Sequence, residues 1–215
     1  IQDLALVVAL YGARDIMLLA RPDLDKSRKM ALRAGLPASQ GKHAMRDDFL
    51  EAVLMFGAFV KVLESTRGNL GALLDWCDAN GFDFDGVVSL AGLREGVVSE
   101  LIGAGLNPFW GSEWRLGEAG PGEFDGTVKR LKMCIYAGLR FSTVKLGGGN
   151  KYRGVDGRVV TVATRKGEPP PERLVTNTVR IRAAPRSSRD RNPPLMYRLV
   201  PGLISVLDGY VPEDH

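Results

Sequence analysis

Histidine and cysteine are scarce in this chain: His43, His215, Cys77 and Cys134 are all that its 215 residues contain. No two of them stand at the close spacing of a zinc site, so a structural metal has no support. A serine or cysteine nucleophile needs a neighbouring base, and one internal histidine leaves few arrangements. A phosphate-binding loop of the form G-x-x-x-x-G-K-[ST] is also absent, because Gly41-Lys42 lacks both the upstream glycine and the following hydroxyl. Long apolar runs are missing too. Leu4 to Leu10 is far too short to cross a bilayer, and no basic signal region precedes it. No self-sufficient active site is expected, and the piece by itself reads as non-catalytic, with no cofactor of its own.

What is present fits an ordinary globular chain, 45% hydrophobic and 25% charged, enough for one large or two small cores. It opens at Ile1 without a methionine and reads as a piece of something longer. Cys77 and Cys134 lie within apolar helical patterns and are expected to be buried thiols in a reducing compartment, so the chain is expected to be intracellular and soluble, with no membrane partner.

Charge is unevenly placed. Residues 1–139 hold 15 Lys and Arg against 18 Asp and Glu, a net of −3, whereas residues 140–191 hold 13 against 4, a net of +9. Residues 192–215 return to −2, with 1 against 3. A concentrated basic block marks a face that meets a polyanion, since each neutralised phosphate releases condensed counterions. For Arg186 to Arg191 the plainer expectation is a solvated loop.

Apolar spacing sets out the first half as helices. Asp23 to Arg33 carries a fair stripe that ends at Gly35-Leu36-Pro37. From Asp47 to Glu64 the residues Phe49, Leu50, Val53, Phe56, Val60 and Leu63 share a face, with Asp47 and Asp48 placed to cap it. Asn69 caps a shorter helix through Trp76 and Cys77 that Gly81 stops, and Asp85 opens another with Leu90, Leu93, Val97 and Leu101 in line. Such stripes bury themselves against one another as a bundle, with Trp76, Phe82 and Phe84 in its core. The Gly117 to Gly122 segment has linker composition and marks a boundary.

After a helix over Asp125 to Gly138, with Val128, Leu131, Ile135 and Leu139 at helical spacing, alternation takes over. Strands are expected over Phe141–Leu146, Lys151–Arg153, Val159–Ala163 and Leu174–Ile181, then as two short pieces on either side of Pro201-Gly202. Asp156-Gly157 signals a tight hairpin turn, and Gly147 to Gly149 a flexible hairpin tip. Arg140, Lys145, Lys151, Arg153 and Arg158 gather in this strand-turn-strand system with Tyr152 between them. That mixture suits holding a nucleic-acid backbone while a base stacks on an aromatic ring.

Leu73-Leu74-Asp75-Trp76-Cys77-Asp78-Ala79-Asn80, Leu93-Arg94-Glu95, Leu101 to Phe109, and Lys132-Met133-Cys134-Ile135-Tyr136-Ala137-Gly138-Leu139-Arg140-Phe141 together resemble the C-terminal helicase-associated region of DExH-type superfamily 2 helicases. The Gly-Leu-Asn-Pro-Phe turn and the closing Leu203 to Val211 look most like the helicases of large nucleocytoplasmic DNA viruses. The resemblance covers roughly residues 70–210 and, taken with the helical stripes before it, implies an α+β fold: a ratchet-like helical bundle over 1–116, followed over 123–215 by a helix and an oligonucleotide-binding-like β-barrel. It implies a nucleic-acid-binding accessory region of an NTP-dependent RNA or DNA helicase, with Arg94 facing the strand. It also implies upstream helicase core domains that hold ATP and magnesium, and a location in the virion or the infected-cell cytoplasm. A second possibility is a protein-interaction module regulating a helicase or polymerase, and a third is an enzyme using His43 with a carboxylate.

Overall fold

The structure, a computed structural model, describes residues 2–13, 47–107, 116, 122–162, 169–182 and 197–208. The Asp23–Arg33 stripe, the turn after it, His43 and the Arg186–Arg191 loop lie outside the described residues, as does most of the Gly117–Gly122 segment. Five α-helices precede five strands among those described: α1 (Gln2–Ala13), α2 (Asp48–Ser65), α3 (Leu70–Asn80), α4 (Phe84–Gly103), α5 (Phe124–Leu139), β1 (Thr143–Gly148), β2 (Lys151–Gly154), β3 (Val159–Thr161), β4 (Arg173–Arg182) and β5 (Tyr197–Val206). The chain is α+β, as its periodicities indicate.

Local chemistry sets the helix ends. Asp47 caps α2, its carboxylate accepting from Leu50 N at 2.9 Å, and Asn69 caps α3 by accepting from Ala72 N at 3.1 Å. Gly81 turns left-handed at φ 75°, which lets Phe82 N donate back to Cys77 O at 2.9 Å and closes α3. The apolar run from Leu4 to Tyr11, which gave no stripe to read, is part of α1. Ala5, Leu6, Val7, Ala9 and Leu10 are all buried, so the helix is apolar nearly all round and has no contrasting polar face.

One hydrophobic cluster runs through all five helices and into the sheet, joining Leu6, Phe49, Leu73, Leu90, Leu131 and Val175 among others. Phe82 is buried in it, with Trp76 and Phe84 packed against it, as expected of bundle aromatics. The opposite face of the sheet forms a second, smaller cluster of Val144, Tyr152, Val160, Val162 and Leu174. Cys77 is buried as its pattern predicts, but Cys134 is exposed. The buried stripe of α5 is Phe124, Thr127, Val128, Leu131, Lys132 and Ile135, and position 134 falls outside it.

The sheet is antiparallel throughout, in the order β3-β2-β1-β4-β5. Asp156-Gly157 makes the β2–β3 turn, with Gly157 at φ 78°. The two strands expected around Pro201-Gly202 are one continuous β5, in which Pro201 lies opposite Thr178 beside a register shift between Thr176 and Thr178. An edge strand tolerates this proline because the amide hydrogen it lacks is not needed by a second neighbour. Among the described residues the expected barrel is not closed: the edge strands β3 and β5 come near each other, but no ladder joins them there.

Candidate nucleic-acid interface

Strand alternation sorts the basic residues. In the β1–β2 ladder Lys145 stands opposite Arg153, and Arg153 stands opposite Val159 on β3. Lys151 lies two residues along β2 from Arg153, on the same face and opposite Thr161. Lys145, Lys151 and Arg153 are exposed, whereas Arg173, opposite Lys145 on β4, is buried. The same face carries Val175, Ser205 and Leu207 toward the helices. One end of it therefore docks on the bundle, and the other presents cations to solvent.

Two like charges directly opposite in an antiparallel pair repel and weaken the ladder. Lys145 has a carboxylate 3.6 Å away, on Glu172, but both side chains are more than 60% exposed. Such a pair is worth well under about 1 kcal/mol and is readily exchanged for another anion.

The remaining predicted residues take different positions. Arg140 is exposed, its guanidinium 5.5 Å from the centroid of the neighbouring Phe141 ring. Arg158 is mostly covered: it donates to the Phe141 carbonyl at 3.0 Å and its Nε lies 3.4 Å from Asp156, so it ties the β2–β3 turn to the short 3₁₀ turn Arg140–Ser142. Arg94 is held among the helices, away from the strand face. It donates to Glu95 at 2.8 Å and to the Gln2 side-chain oxygen, and its guanidinium sits 5.4 Å over the Phe56 ring, with the side chain 17% exposed.

Tyr152 departs furthest from expectation. Its ring is fully buried in the second cluster and its hydroxyl donates to Pro171 O at 2.7 Å, so it offers no face to a base. The alternation that turns Lys151 and Arg153 outward turns the residue between them inward. Burial, and then the Asp208 carboxylate, push its phenol pKa up, which keeps the donor proton in place. Tyr152→Phe should lower stability by about 1 kcal/mol, the worth of one hydrogen bond, and leave oligonucleotide affinity unchanged. A thermal melt beside a binding titration checks both.

Two features were missed in the sequence. Phe141, read there as the start of a strand, is 75% exposed in the 3₁₀ turn beside the cations. Lys132, on the buried stripe of α5, donates to the Asp47 carboxylate, to Ser205 Oγ at 3.0 Å and to Val206 O at 2.6 Å. Asp47 accepts further from Ser205 Oγ at 2.7 Å and Val206 N at 2.8 Å, and Asp48 accepts from Ile204 N at 2.7 Å. This buried cluster fixes the start of α2 and the side of α5 on β5, and so sets how the sheet sits on the helices. Burial pulls the Lys132 ammonium from 10.5 down to about 7, with Asp208 opposing.

No group of three potential metal ligands converges among the described residues, and no helix there is long and apolar enough to cross a membrane. No family model matches the chain. Its sequence does match a protein of African swine fever virus named "Putative RNA Helicase B962L". In a tick isolate from Malawi the two are 29% identical over 239 aligned positions, covering 100% of this chain and 24% of the relative. In a pig isolate from Kenya the identity is 27% over 176 positions, covering 79% of this chain and 18% of the relative. The chain thus spans about a quarter of the length of the curated relatives it matches. The resemblance carried by the Trp76-Cys77 helix, the Arg94 helix and the α5-to-strand junction is borne out, for the chain is similar to the C-terminal region of a viral helicase.

Proposed function

We propose that this chain is a nucleic-acid-binding accessory region of an NTP-dependent helicase, holding a single strand by its phosphates, with ATP and magnesium held by other domains of the longer protein. The observation that carries this is the cross-strand pair of Lys145 and Arg153, joined by Lys151 on one open face of the sheet. Exposed cations set opposite each other cost ladder stability until an anion lies between them, and a phosphodiester supplies a row of anions at comparable spacing. The viral relatives' name, an RNA helicase, agrees with that ligand class.

A second reading, a face for a protein partner, is favoured by Leu70 and Leu74 of α3 and Val88, Leu93 and Ile102 of α4, all more than 40% exposed. It leaves the aligned cations without a role.

The test is anisotropy of a labelled 12-nucleotide strand, RNA and DNA in turn, titrated with the 215-residue chain at several salt concentrations. Three or four phosphate contacts give a log–log slope of about −2 to −3 at roughly −0.7 per contact. Binding that is absent, or indifferent to salt, refutes the proposal.

A further inference from the structure

We infer that Phe141 is a stacking platform for one base of the strand whose backbone lies along Lys145, Arg153 and Lys151. The inference rests on the proposed function and adds the residue that meets a base. Every other aromatic whose side chain is described is at least half covered, yet Phe141 leaves 75% of its surface in water. An exposed phenyl ring forgoes about 1.5–3 kcal/mol of burial, so its position calls for an occupant.

The ring stands on a fixed base. Arg158 donates to the Phe141 carbonyl at 3.0 Å from one side, and the next residue, Ser142, meets the Tyr11 hydroxyl at 2.5 Å from the other. Thr143 N donates to Arg140 O and closes the 3₁₀ turn. A backbone anchored to α1, to the β2–β3 turn and to itself lets the side chain accept a base with little further ordering.

Its surroundings match the ligand. Arg140 lies over the ring, its guanidinium carbon 5.5 Å from the centroid, and β1, with Lys145, begins two residues later. Val155 and Val159 are exposed nearby in the hairpin that Arg158 ties to this turn, at 77% and 45%. Apolar surface interleaved with cations suits a single strand, whose bases present π-faces and whose phosphates present charge; stacking of this kind tolerates any sequence. An acidic protein segment would use the cations but would gain little from a lone ring.

The experiment compares a 12-nucleotide thymidine strand with a 12-mer of abasic residues, which keeps the phosphates and removes the bases. Wild-type chain should bind the thymidine strand about tenfold more tightly or better, from stacking of one base. Phe141→Ala should erase that preference and keep the salt slope, and Phe141→Trp should retain it. A preference that survives in Phe141→Ala overturns the stacking assignment while leaving the phosphate contacts intact. An absence of salt-dependent binding to both strands removes the proposed function itself, and stacking with it.

Discussion

Lys132→Met should destabilise the fold by about 3–5 kcal/mol, because it leaves the buried Asp47 carboxylate without its cation. Both side chains are almost fully covered, at 2% and 1% exposure. All three ammonium protons are used, on Asp47, Ser205 Oγ and the Val206 carbonyl. Truncation therefore strips an acceptor set built around a charge, in contrast to a surface lysine, whose loss costs a few tenths of a kcal/mol. Adding Asp47→Asn should restore much of the lost stability, since a neutral amide beside methionine carries no uncompensated charge. The Asn oxygen can still accept from Leu50 N at the cap.

Helix positions were legible because caps and stripes are local: Asp47, Asn69 and Gly81 act within three or four residues of themselves. The same holds for the Asp156-Gly157 turn. What the sequence could not convey is which distant residues meet. Lys132 sits on an apolar stripe, a signal that a buried partner exists, but that partner is 85 positions away. Tyr152 was misplaced because composition groups it with its cationic neighbours, whereas the two-residue period separates it from them. β5 passes through Pro201-Gly202 because its edge position removes the usual penalty, and edge position follows from sheet order alone. The break between helix and strand hid Phe141, whose exposure follows from a turn too short to carry a periodicity.

The site itself was half legible. Lys145, Lys151 and Arg153 are brought together, Arg140 lies over the Phe141 ring, Arg158 braces the turn, and Arg94 is occupied among the helices. Among the described side chains, the cations of the +9 block therefore take distinct positions and do not form one uniform face.

Charge reversal at the cross-strand pair tests the strand-holding role most directly. Lys145→Glu with Arg153→Glu changes two exposed side chains that stand opposite each other, so the fold should keep its stability within about 1 kcal/mol. Counterion release at about 0.1 M salt makes each phosphate contact worth roughly fivefold, so losing two weakens binding at least about 25-fold, before repulsion is counted. The salt slope should also become shallower by about 1.4. Anisotropy of the 12-nucleotide strand across a salt series, for wild type and the double variant side by side, should show both changes. An unchanged affinity and slope, with the variant folded, would place the strand elsewhere and contradict a phosphate-holding face on the β1–β2 hairpin.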